Sequence, residues 1–218
     1  MTSQLNIEEI KTEIVVFLRN QDILTTTQRG VTTTTEEFDG DGNETDFTVS
    51  QANIKNVRSV TVDGSPVEFG SGYSVDYDTA TITFASAPGV GTDNVDIQYD
   101  YGTDAIFPDF PRPDLKISSF PRIGLDMIGM NTTELGIGGT SNQTDMSFSV
   151  IIFGPVLADV DTYVFRVRNA IQQNKKEFYN LKFITNAIVG PTLPFGEGKQ
   201  KIFQKNVDIV SVYNIEEV

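Results

Sequence analysis

The sequence predicts an α+β protein: a small antiparallel or mixed sheet with two helices packed on it, plus an inserted antiparallel β-sandwich or barrel-like domain. Three observations predict it. Val160, Tyr163, Val164, Val167, Ala170 and Ile171 recur at helical spacing, in a stripe about 120° wide, and strand-like runs flank them on both sides. A second stretch, Gly30 to Gly102, carries short alternating runs separated by turn signals. The charge divides along the same line, with 13 acidic and 2 basic residues in that stretch against 17 and 14 in the remainder, out of a net charge of −14. We therefore divide the chain into residues 1–29 with 103–218, and an acidic insert at 30–102.

The elements follow in order. Asn6 to Asn20 reads as a helix, with Ile7, Ile10, Ile14, Phe17 and Leu18 on one face. Asn6 and Glu9 resemble a capping box, with Asn in place of Ser or Thr. Val15 and Val16 fall off that face. From Gly30 the pattern changes to strands: Val31 to Glu37, Phe47 to Val49, Val57 to Val62, Tyr73 to Tyr77, Thr81 to Phe84 and Val95 to Tyr101. In the last, Val95, Ile97, Tyr99 and Tyr101 point one way, while Asp96, Gln98 and Asp100 point to a wet face. Asp39-Gly40-Asp41-Gly42, Asp63-Gly64, Tyr77-Asp78-Thr79 and Pro88-Gly89 supply the turns.

Pro108, Pro111 and Pro113 make the return a stiff connector, since proline fixes φ and removes donors. Leu115 to Met130 reads as strand, Asn131 to Gln143 as loop, and Met146 to Phe153 as strand closed by Gly154-Pro155. The main helix runs from Asp159, a plausible N-cap, to Asn174, with Lys175 and Lys176 at the dipole's negative end. Phe178 to Val189 is a strand, Gly190 to Gln200 a loop, and Ile202 to Ile215 the last strand.

Composition excludes several functions. There is no cysteine and no histidine, hence no thiolate chemistry, no Ser/His or Cys/His nucleophile, and none of the commonest transition-metal ligand. No apolar run approaches the roughly 20 residues that span a bilayer, and the N-terminus with Glu8, Glu9 and Glu13 does not resemble a signal peptide, so the expectation is a soluble protein that does not use that export route. The acidic insert should repel nucleic acid, or it reflects a high-salt source.

Candidate sites are weighed against plainer readings. Asp39, Asp41 and Asn43 start a calcium-loop pattern, but Glu44 stands where glycine belongs and Ser50 where glutamate belongs, so an acidic turn is the better reading. Gly136-Ile137-Gly138-Gly139-Thr140 lacks a phosphate-loop lysine and reads as a flexible loop. Carboxylate pairs such as Asp76 with Asp78, or Asp96 with Asp100, sit at turns or wet strand faces, where a pKa should stay ordinary. No catalytic residue, cofactor or metal is expected. Two features suggest contacts instead. Phe165 lies off the helix stripe; either a loop or the other helix covers it, or it meets another subunit. From Arg166 to Lys205 eight basic residues, among them Arg168, Lys175, Lys176, Lys199 and Lys201, face only Glu177 and Glu197. That stretch is a solvated face, an interface with an acidic neighbour, or a nucleic-acid contact.

The order of elements then suggests a family. A first helix, a proline-bearing entry at Pro111-Arg112-Pro113-Asp114-Leu115-Lys116-Ile117, a hairpin through Met146-Ser147-Phe148-Ser149-Val150-Ile151-Ile152, the helix Asp159 to Asn174 and two closing strands resemble the tail terminator proteins of long-tailed viruses. The resemblance covers residues 1–29 and 103–218 and rests on element order and strand texture, without a diagnostic motif. It implies a virion protein made in the host cytoplasm, in a ring usually of six copies. That ring caps the tail tube, joins the head–tail connector and leaves a passage for the genome. It implies no catalysis, no membrane and no specific nucleic-acid contact. Phe165, Arg166, Arg168, Lys175, Lys176, Phe195, Lys199 and Lys201 are the candidate interface residues. Another neck, tail tube or baseplate component, or a surface-binding module acting through the β insert, is the alternative.

Overall fold

The computed structural model describes residues 7–108, 120–134, 141–175, 178, 183–195 and 201–216. The described residues are mostly β, with three helices, and the chain forms two compact units, residues 1–24 with 105–218 and residues 25–104.

The first unit is a six-stranded mixed sheet sharing one apolar core with two helices. α1 (Ile7–Asn20) buries Ile10, Ile14, Val15 and Leu18. Val15, which the helical stripe left outside, is 2% exposed, so the buried face is wider than the pattern indicated. The sheet contains β8 (Ile106–Phe107), β9 (Arg122–Glu134), β10 (Ser141–Gly154), β11 (Phe183–Val189), β12 (Leu193–Phe195) and β13 (Ile202–Glu216). The order is β11-β13-β10-β9-β8, with β12 also on β13; only the β8–β9 pair is parallel.

Alternation on β10 sets the register. Met146, Phe148, Val150 and Ile152 are fully buried, and Phe148 stands opposite Ile209, Val150 opposite Val207 and Leu125. A one-residue slip would move this entire set to the other face. That other face carries a polar cluster: Ser149 Oγ and Asn206 Nδ2 each donate to Asp208 Oδ1 at 2.7 Å.

α3 (Leu157–Gln173) packs its stripe on this sheet, with Val160, Val164, Val167 and Ile171 fully buried. It begins two residues before the expected Asp159. Its N-cap is Val156, without a side-chain cap bond, and Asp159 lies in the first turn. Burying four aliphatic side chains, each worth about 1.5–3 kcal/mol, outweighs a missing cap of about 1 kcal/mol, so packing and not capping sets the start. Gly154 leaves room for the helix: a Cβ there would lie 2.8 Å from Val160 Cγ2.

Other boundaries also move. The expected 131–143 loop shrinks because β9 runs to Glu134 and β10 starts at Ser141; Gly136 to Thr140 lie outside the described residues, as do Asn6, Pro111 and Pro113. The expected 190–200 loop contains β12, bonded to β13.

The second unit holds seven strands in two sheets. β1 (Val31–Gly40), β3 (Ile54–Val62), β4 (Ser65–Pro66) and β7 (Gly91–Gly102) form one, in the order β1-β7-β3-β4. β2 (Asp46–Thr48), β5 (Tyr73–Asp76) and β6 (Thr81–Phe84) form the other, in the order β2-β6-β5. Val57, Val60, Val95, Ile97 and Tyr99 of the first share a core with Phe47, Tyr73, Ile82 and Phe84 of the second.

A third helix, α2 (Thr26–Arg29), was not expected. Thr25 and Gln28 close a capping box and Gly30, at φ 72°, ends the turn in the left-handed region that glycine adopts without strain. This turn moves the boundary from residue 29 back to Leu24 and Thr25, because Arg29 is held inside the second unit. Its Nη1 donates to Asp100 Oδ2 at 2.7 Å and its Nη2 to Asn56 Oδ1 at 2.7 Å.

Candidate assembly surface

With one side of α3 in the core, its other side defines the first surface of interest. Phe165 is 54% exposed. Each residue advances about 100° around a helix, which puts Phe165 one step past the fully buried Val164 and out of the stripe. Leu157, 39% exposed, lies two turns earlier, with Asp161 between and exposed Arg168 one turn later. These four form one ridge. Asp161 is already engaged, accepting from Lys205 Nζ at 2.8 Å.

The expected interface residues divide. Phe165 and Arg168 share the ridge. Arg166 is exposed along its length but turns its guanidinium back to donate to Ile23 O at 3.1 Å, so part of its bonding capacity is spent within the chain. Lys175 is half-buried beyond the helix end. Lys201 is exposed just before β13, next in sequence to Ile202, which pairs with Phe195. Only the backbone of Phe195 is described, and Lys176 and Lys199 lie outside the described residues.

A second exposed apolar side chain was missed in the sequence. β9 and β10 are in register up to Ser147 opposite Gly129, and resume at Phe148 opposite Met127. Ile128 is the extra residue of a bulge, without an opposite partner, and it is 59% exposed. Asp126, which pairs with Ser149, is exposed as well, and Met130, which pairs with Met146 and so belongs to the hairpin's other face, is 51% exposed. Past Gly124, β9 has no strand on its outer side among the described residues. Gly129 was the available signal, since an isolated glycine within a strand pattern often marks a bulge.

In the second unit the carboxylates take structural roles. Asp41 Oδ1 accepts from Asn43 N at 2.8 Å and Glu44 N at 2.6 Å, and the Glu44 and Asn43 amides hold its carboxyl below the usual range. The failed calcium-loop pattern is thus a turn. Asp76 is held low in the same way, by Thr79 and the Asp78 amide. Asp100 corrects the expectation of a wet strand face. It is fully buried; burial pushes its carboxyl up, but hydrogen bonds from Arg58 and Thr33 and the charge of Arg29 outweigh that and hold it low. Glu36 accepts from Ser50 and from the hydroxyl of Tyr99. Burial, followed by the bond to Glu36, raises the Tyr99 hydroxyl to about 12. Among the described residues no cluster of acidic side chains is arranged to hold a metal ion, and no helix is long and apolar enough to cross a membrane.

No protein-family model matches this chain, and no curated protein matches it.

Proposed function

We propose that the protein is a structural component of a virion, a tail-terminator-like subunit that forms a ring of about six copies at the top of a tail tube and meets the head–tail connector. The observation that carries this reading is the pairing of an α3 anchored on its sheet with an outward Phe165 that is 54% exposed. Aromatic side chains are enriched where subunits meet, and Phe165 sits with Leu157 along one ridge of the helix. The first unit also exposes Ile128, at 59%, on a different element. Two unlike contact sites on one subunit favour a head-to-tail contact, and head-to-tail contacts close into rings when the rotation allows.

The acidic second unit then acts as decoration. Its two sheets sharing one core are what a small antiparallel sandwich requires, and we read it as one. Its separate core also favours a second reading, a binding module carried on the ring.

Native mass spectrometry of the purified chain tests the proposal. A closed oligomer near six copies, seen as annular particles by electron microscopy, is expected. Monomers at all concentrations, with no ring in the assembled particle, would overturn it. Deleting residues 25–104 separates the two readings: ring formation survives for a terminator-like subunit, whereas surface binding is lost for a binding module.

A further inference from the structure

We infer that copies of this chain join through the sheet of the first unit, the open edge of β11 on one copy pairing antiparallel with the open edge of β9 on the next. The inference rests on the proposed ring and names the two edges that close it.

Among the described residues β11 has a strand neighbour only on its β13 side, and β9 past Gly124 only on its β10 side. Every second residue of such a strand turns its N–H and C=O away from the sheet, so each edge is a row of unmatched donors and acceptors. Folded proteins guard these rows with charge, proline, a bulge or a covering element. β1, at the edge of the larger sheet in the second unit, is guarded by Glu36, Glu37 and Asp39. The edges of the first unit have no such charges. Met127 to Thr133 on β9 and Phe183 to Val189 on β11 each run seven residues without a charge or a proline, a matched length of roughly 23 Å. Each has one bulge, at Ile128 and at Thr185, and is regular beyond it, from Gly129 to Glu134 and from Asn186 to Val189.

The side chains at these edges are those that an added strand covers. Ile128, in the bulge opposite Ser147, is 59% exposed on the face away from the helices, and Met130, opposite the buried Met146, is 51% exposed on the helix face. Apolar side chains open on both faces of one strand do not form a single patch. A strand laid along the edge covers both, because its own side chains alternate between the two faces. Ile188, opposite Asp208 and 52% exposed, stands at the other edge on the face away from the helices.

The occupant follows from strand direction. Three antiparallel pairings link β11, β13, β10 and β9, so β11 and β9 run opposite ways. A second copy set beside the first in the same orientation therefore brings its β11 antiparallel to β9, with both helix layers on one side of the joined sheet. A two-fold pairing of one edge with itself would leave the other edge open. Head-to-tail pairing uses both, and in a closed ring no edge remains.

The test blocks one edge at a time in the full chain, at exposed positions only. Ile128→Lys with Met130→Lys closes β9, and Asn186→Lys with Ile188→Lys closes β11, since lysine on an edge resists pairing. Native mass spectrometry reads the assembly. Each blocked variant alone should lose at least tenfold of its assembled fraction. An equimolar mixture of the two should give a heterodimer and nothing larger, because each pair then holds one open β9 and one open β11. Rings that persist in both variants would overturn the edge contact and leave the ring reading in place. A homodimer of the β11-blocked variant would show β9 pairing with itself and overturn the head-to-tail contact. Open fibres of the wild-type chain, with the same heterodimer on mixing, would support the contact and overturn the closed ring. Wild-type monomers at all concentrations would overturn both. Hydrogen exchange on the unmodified chain gives a measurement that does not depend on the variants folding. Amides in 127–133 and in 183–189 should both exchange at least tenfold more slowly in the assembled protein than in the dilute one. Rings without that slowing, or with slowing in one segment alone, would overturn the edge pairing.

Discussion

The guanidinium of Arg29 grips the carboxylate of Asp104 from two sides, Nη2 to Oδ2 at 2.5 Å and Nε to Oδ1 at 3.2 Å, with each side chain 1% exposed. These residues lie near the two ends of the second unit, 75 positions apart in sequence. Nη1 donates to Asp100, Nη2 also donates to Asn56, and Arg58 and Thr33 hold the second oxygen of Asp100. The entry and exit of the inserted chain are therefore fastened by a buried ionic cluster and not only by strand pairing.

Removing the cation should be severe. Arg29→Met takes the two-point arginine from buried Asp104 and one of the two arginines from buried Asp100, and breaking a buried pair in this way costs about 3–5 kcal/mol. The second unit contains Tyr73, Tyr77, Tyr99 and Tyr101, and the chain has no tryptophan, so tyrosine fluorescence during urea denaturation reports on it. A shift of less than about 1 kcal/mol would show that the cluster is not a principal support.

The same cluster should make the unit sensitive to acid. Asp100 is held below its ordinary value in the folded state. Its stabilisation is therefore complete above the unfolded aspartate pKa, about 3.9, and is lost as pH falls through the lower folded value. Tyr73 and Tyr99 act at the other extreme. Burial raises both to about 12, so the folded state retains protons that the unfolded chain releases. Stability should fall as pH rises from about 10 toward 12. Thermal melts across pH should give a plateau with losses at both ends, and Asp100→Asn should flatten the acid limb while lowering the plateau.

Adjacent residues of α3 should separate folding from assembly. Ile171→Ala, at a fully buried position, should cost about 2–5 kcal/mol, whereas Phe165→Ala, at a site more than half exposed, should change stability by less than about 0.5 kcal/mol. If the proposed ring forms, only Phe165→Ala should dissolve it at concentrations where the fold is intact. Denaturant melts paired with sedimentation velocity would separate the two effects.

Ser211 offers a stabilising change. Its hydroxyl is fully buried on the core face of β13, opposite Met146 and Ile184, and has no hydrogen-bond partner among the described residues. Leaving such a group unmatched costs about 1–3 kcal/mol, so Ser211→Ala should raise the unfolding free energy of the first unit by about 1 kcal/mol. A loss of stability in a denaturant melt would show that the hydroxyl is satisfied after all.

Periodicity alone was enough for the elements with strong patterns. The buried stripe of α3 and the alternation of β7 and β10 were legible because a side chain's direction follows from its position along a helix or strand. Asp100 was not legible. Its place in the alternation pointed to solvent, and only Arg29, brought from 71 residues away, turned that face into an interior. α2 was written in Thr25 and Gln28 but is too short to produce a period. Phe165 could be found because it violates a pattern, whereas Ile128 left only the neighbouring Gly129 as a local trace: its exposure comes from a slip in register between two strands.

By itself, then, the sequence determined which faces had to be buried, where the charge concentrates and which chemistries the absence of cysteine and histidine rules out, because these are properties of single residues and local spacing. Only the tertiary structure decided which strands became neighbours, which carboxylates met an arginine and which apolar side chains stayed in the open. Those outcomes depend on contacts between residues far apart in the chain, whose energies no local pattern contains.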